Sequence, residues 1–192
     1  MNVSNEDAQA SLAEVKDTML RTRRAVAASY SSPLLILWGL LFAVANVVAH
    51  FYLRYAAIIF WAMAGVGWLG TSLVWWRLQR KLPVKEPTEE KMNLRMGAFW
   101  GSLFMYVFIW LRLFARFNGM QMHAFIITST MFGYVVLGLW FTEYYMAWLG
   151  LAVTAFTLVG FYLLPAYYYL WMAVTAGGLL LGTGLYLHAR WR

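Results

Sequence analysis

A chain of 192 residues that is 62% hydrophobic, 12% charged and without cysteine does not have the surface of a soluble domain. Soluble proteins carry roughly 25% charged residues, so the expected class is an all-α polytopic membrane protein, one membrane domain with a short tail. The missing cysteine excludes disulfides, thiolate nucleophiles and thiolate metal sites.

The first 32 residues are polar and contain no short apolar core after a basic start, so no cleavable signal peptide is expected. Residues 1–32 read as an amphipathic helix on the cytoplasmic side, with Ser4 and Asp7 placed as a capping box. Acidic residues come first and basic ones mostly later, which suits the helix dipole. Ala8, Leu12, Val15, Met19, Thr22 and Val26 follow heptad spacing. That seam makes Leu12, Val15 and Met19 the candidate docking residues for a protein partner or a second copy.

Ser32-Pro33 reads as an N-cap followed by proline at the first helical position, opening a membrane domain over residues 33–192. A bilayer core of about 30 Å needs about 20 helical residues. Six stretches have that length, about 33–53, 56–76, 95–115, 123–142, 146–164 and 167–187. Only helices satisfy their backbone inside lipid without closing into a barrel, and the alternation of a barrel strand is absent.

Residues 77–95, RLQRKLPVKEPTEEKMNLR, are the one long polar segment after the tail. Its Lys and Arg orient the chain. With both termini cytoplasmic, the inner side holds four basic residues in the tail, six in this loop, and Arg190 with Arg192. The outer side holds Arg54, Arg112 and Arg116. Such a bias sets orientation and indicates the inner (cytoplasmic) membrane. The same placement argues against nucleic acid as the partner of the net +7 charge.

The six spans resemble three repeated hairpins. Trp38-Gly39 opens the first as Trp100-Gly101 opens the second, with Trp148-Leu149-Gly150 a looser third copy. Gly70-Thr71-Ser72-Leu73 likewise matches Gly182-Thr183-Gly184-Leu185. Some transporters are built from such parallel repeats.

Gly65-Val66-Gly67-Trp68-Leu69-Gly70 has dinucleotide-loop spacing but lies inside a span, where the glycines are expected to let helices approach closely. Gly178 and Gly182 read the same way. Ser102 and His123 stand at opposite depths, so they do not make a nucleophile and base. Glu143, the sole acid after residue 90, sits in a short inner turn and is expected to pair with a loop cation. Mid-span polarity is limited to groups such as Asn46, Thr128, Ser129, Thr130 and Thr154. That pattern argues against a coupled ion pump.

Three functions follow as expectations. The first is a non-enzymatic accessory, scaffold or regulatory subunit of a membrane complex, with no cofactor. The second is a small transporter or a lipid- or anion-binding protein, with Arg54, Arg112 and Arg116 as the outer basic cluster. Guanidinium suits phosphate and carboxylate geometry. The third is a haem b or copper redox subunit, with His50, Met120, Met122 and His123 as soft and imidazole ligands.

Overall fold

The structure, a computed structural model, describes residues 5–80, 87–113 and 117–190. All regular elements in this range are helical. They are α1 (Asn5–Phe51), α2 (Ala56–Gln79), α3 (Pro87–Leu113), α4 (Gly119–Trp140), α5 (Tyr144–Leu163), α6 (Tyr168–Met172) and α7 (Gly178–Arg190). A π-turn over Ala173–Gly177 joins the last two. Among the described residues six stretches are long and apolar enough to cross a membrane: Ser31–Phe51, Leu53–Arg77, Leu94–Leu113, Gly119–Trp140, Tyr144–Leu163 and Pro165–Arg190. They lie within a few residues of the spans read from hydropathy.

The start of the first span differs from expectation. α1 runs unbroken through Pro33, so Ser32 is not the cap of a new helix. A proline inside a helix loses one backbone bond and crowds the carbonyl four residues earlier, at about 3 kcal/mol. Tertiary contacts hold the helix across it. Ser32 is buried and lies 3.3 Å from His188 Nδ1 on α7, and Tyr145 on α5 donates to Ser31 Oγ at 3.1 Å. At 1.5 Å per residue the 47 residues of α1 measure about 70 Å, more than twice a span. In the tail portion Val15 is exposed; the side chains of Leu12 and Met19 lie outside the described set, as does the proposed cap at Ser4.

Consecutive spans run antiparallel. The broadest interfaces are α4 with α5 and α1 with α7, both between rather than within the expected hairpins. Glycine makes these interfaces close. A Cβ on Gly39 would stand 2.5 Å from the Leu181 backbone nitrogen, one on Gly177 2.8 Å from Ala43 Cβ, and one on Gly184 2.8 Å from Ile36. Gly138 meets the Ala147 backbone and Gly150 the Met131 carbonyl in the same way across α4 and α5. Backbones at this distance maximise dispersion contacts, the attraction available between apolar helices in an apolar solvent.

α2 and α3 are peripheral. α2 packs chiefly on α1, where Trp38 Nε1 donates to Thr71 Oγ1 at 3.0 Å and its ring fills the space beside Gly67. α3 packs on α4, where Trp100 and Leu103 meet Gly133. Few residues of these two spans are buried, whereas about a third are buried in each of the other four. The repeat-equivalent glycines have unlike surroundings: Gly39 and Gly150 press on backbone, whereas Gly101 faces open space.

The turn between α4 and α5 is tight. Thr142 takes φ 58°, the left-handed region that a β-branched residue rarely enters, and Glu143 follows as the N-cap of α5 without a side-chain cap bond. A carboxylate there suits the helix dipole.

A buried imidazole and amide as the candidate functional site

The chemistry gathers at the end of the bundle where α1 and α3 finish and α4 and α6 begin. His123 lies in the first turns of α4 and is buried. Its position follows from the start of that helix. Asn118 caps it: the Asn118 side chain accepts from the Gln121 backbone at 2.8 Å, and the Gln121 side chain accepts from the Asn118 backbone at 3.0 Å. With two otherwise unpaired donors satisfied, the helix starts at Gly119 and turns His123 inward.

Aromatic rings then surround the imidazole. Phe60 of α2 lies 4.5 Å away, centre to centre, and Phe42 of α1 stacks on it at 5.6 Å. Tyr168 and Tyr169 of α6 meet it edge-on, both at 5.5 Å. His123 Nδ1 and the Tyr168 hydroxyl are 3.0 Å apart. One turn along α1 from Phe42, Asn46 is fully buried and its Nδ2 donates to the Phe42 carbonyl at 2.9 Å.

That geometry leaves two sealed polar atoms unpaired, Asn46 Oδ1 and His123 Nε2. Buried polar atoms are nearly always hydrogen-bonded, because an orphan costs about 1–3 kcal/mol. By contrast Thr128, Thr130, Thr154, Thr157 and Thr175 each donate to a carbonyl of their own helix. The π-turn lies nearby: Ala43 meets Gly177, so Asn46, one turn further on antiparallel α1, is level with the start of that turn. Turns of this kind interrupt the helical bonding ladder and recur at functional sites.

The other candidate residues are placed as follows. His50 stacks on Tyr167 at 6.1 Å and meets Phe51 edge-on, whereas His123 engages Phe42 two turns earlier on α1. Two turns are about 11 Å along a helix, so the two imidazoles serve different aromatic neighbours. Met120 packs against the core and Met122 is half-buried. Among the described residues no three His, Asp or Glu side chains gather around a point that could hold a metal. Arg54 is exposed in the turn before α2, and Arg112 lies on the last turn of α3 with its guanidinium 5.3 Å from the Phe108 ring. Arg116 lies outside the described residues.

A groove of about 570 Å³ also opens between α3 and α4, lined by Val107, Trp110, Phe125, Thr128 and Ser129 among others. At the opposite end of the bundle, Ser32 and His188 make a serine–imidazole pair, but Ser32 is 2% exposed and beyond the reach of a substrate. The sequence marks Asn46 only as a mid-span amide and does not single out Tyr168 or Tyr169. The available signal was depth: Asn46 stands five residues before the end of α1 and His123 four after the start of α4.

No protein-family model, curated protein or solved structure matches the chain.

Proposed function

We propose that this chain is a non-enzymatic accessory or scaffold subunit embedded in the inner (cytoplasmic) membrane. One observation carries the reading. Its two peripheral spans hold small residues against nothing. Gly65 on α2, and Gly97 and Gly101 four residues apart on α3, all face open space, whereas Gly67, Gly70 and Gly133 are filled from within the chain. The Gly178–Gly182 pair on α7 is open as well. Helices associate in lipid through such small-residue faces, because close backbone approach replaces the hydrophobic effect as the driving force. Tryptophans beside the open Gly65, Trp61 and Trp68, are also exposed, as a contact face would be before assembly.

The partner reading is tested by mild-detergent affinity purification of the tagged full chain from its native membrane. The wild type is expected to bring down a stoichiometric protein. Gly97→Leu with Gly101→Leu is expected to lower its recovery at least tenfold while the chain's own melting temperature stays within about 2 °C, since a Cβ at either position meets no other described residue. Equal recovery from both forms would sink the proposal. A chain that purifies alone would shift the weight to the transporter or lipid-binding reading, which the α3–α4 groove favours.

Orientation is part of the same reading. The proposal places both termini and the Lys/Arg-rich 77–95 loop in the cytoplasm. A chain without cysteine suits single-cysteine labelling. In intact cells an impermeant maleimide is expected to label Arg54→Cys at once and Arg80→Cys only after permeabilisation. The reverse order would overturn the orientation.

A further inference from the structure

We propose that Asn46 and His123 together bind a hydroxyl group, accepted from His123 Nε2 and donated to Asn46 Oδ1. This inference goes beyond the scaffold reading and stands independently of it.

The bonding pattern sets the chemistry. The Asn46 amide is oriented by its bond to the Phe42 carbonyl, which uses Nδ2 and leaves Oδ1 as an acceptor. His123 is fixed on its other side by the Tyr168 hydroxyl at 3.0 Å. A phenol is the better donor of the pair and a neutral imidazole nitrogen the better acceptor. Tyr168 therefore donates to Nδ1, and the ring proton resides on Nε2. Phe42 stacks on the imidazole and stands one turn before Asn46, so one donor and one acceptor share this end of the bundle, neither with a partner among the described residues. A single O–H group accepts one bond and donates one, so it completes both.

The walls agree with a small neutral guest. The rings of Phe42, Phe60, Tyr168 and Tyr169 surround the imidazole, and among the described residues its hydrogen-bond partner is the Tyr168 hydroxyl rather than a carboxylate or a basic side chain. An ion would lack a countercharge there. One wall is less firmly held than the rest: Phe60 belongs to α2, the peripheral helix that packs chiefly on α1. A guest from the lipid phase would enter by displacing Phe60.

Two sources supply the same O–H chemistry, a lone water molecule and the hydroxyl of an alcohol dissolved in the membrane. The test uses the full chain in lipid nanodiscs with ¹⁵N-labelled histidine. Only His50, His123 and His188 give signals, and His123→Gln identifies the one that matters. The expected result is a protonated Nε2 and an unprotonated, hydrogen-bonded Nδ1, with a cross-peak from the Nε2 proton to a hydroxyl proton.

In nanodiscs of phosphatidylcholine alone, a cross-peak to a long-lived water supports water as the guest. Replacement of that peak on adding farnesol or dioleoylglycerol supports a membrane alcohol. Asn46→Leu is expected to abolish either cross-peak, and Phe60→Ala to speed exchange of the alcohol at least tenfold. An unprotonated Nε2, a direct Nε2–Asn46 bond, or the absence of a hydroxyl contact under both conditions would overturn the proposal. A stability loss in Asn46→Leu does not blur the result, because the tautomer and the contact are read in the wild type.

Discussion

Gly39→Leu is expected to separate α1 from α7 and to leave little monodisperse protein. A Cβ at this position would stand 2.5 Å from the Leu181 nitrogen and 2.9 Å from its Cα. Those are backbone atoms, so no rotamer change relieves the clash. The neighbouring turns are equally close, at Ala43 with Gly177 and Ile36 with Gly184. One helix therefore cannot move away at residue 39 without losing the contacts one turn above and below. Overpacking of a rigid interior costs about 1–3 kcal/mol and more where backbone must shift. At about 2–4 °C per kcal/mol for a chain of this size, a cost of about 3 kcal/mol lowers the melting temperature by about 6–12 °C. Gly178→Leu is the control, since a side chain there meets open space and should cost less than about 1 kcal/mol. A Gly39→Leu protein that melts with the wild type would show that α1 and α7 are not packed as described.

The second large effect is expected from inserting an alanine between Val174 and Thr175. The π-turn over Ala173–Gly177 already holds one residue more than α-helical geometry would, and its wide turn absorbs that residue so that α6 and α7 keep a common buried face. Tyr168, Tyr169 and Met172 on one side of the turn and Leu180, Gly184 and Leu187 on the other are all buried. A further residue has no wide turn to absorb it and rotates α7 by about 100° relative to α6. Gly184 would leave Ile36, and the exposed Tyr186 would rotate toward the core. Val174 itself is 75% exposed, so Val174→Ala should be nearly neutral. The insertion is expected to lower the melting temperature at least as much as Gly39→Leu. It should also disturb the contact of Tyr168 with His123, read as a change in the hydrogen-bonded Nδ1 signal. An insertion variant with wild-type melting and an intact signal would exclude a role for the turn in setting register.

Both effects depend on which helix faces meet between residues far apart in sequence, which no local pattern displays. Gly65, Gly67 and Gly70 look alike in the chain, and the sequence alone assigns all three to helix packing. Gly67 and Gly70 do so against Trp38 and Leu37, but Gly65 faces open space. Hydropathy says that a residue stands in a span. It does not say which side of the helix meets a neighbour, because an apolar solvent and an apolar neighbour select the same side chains. The hairpin likeness has the same limit: Trp38-Gly39 and Trp100-Gly101 share letters, yet Gly39 meets Leu181 and Gly101 meets nothing.

The amino-acid sequence was enough for the all-helical class, the six apolar stretches and the clustering of positive charge in the tail and the 77–95 loop. These follow from composition and from the length of apolar runs, which are local properties. It did not determine that α1 continues through Pro33, because the bonds of Ser31 and Ser32 to Tyr145 and His188 come from residues more than 100 positions away. Nor did it place His123. The same residue would read as an interfacial imidazole on a free helix. Only the packing of α1, α2, α4 and α6 around it buries the ring, leaves Nε2 without a partner among the described residues, and brings it beside the helix that carries Asn46. Burial is a property of neighbours, and the neighbours are chosen by close backbone contacts that no local pattern encodes.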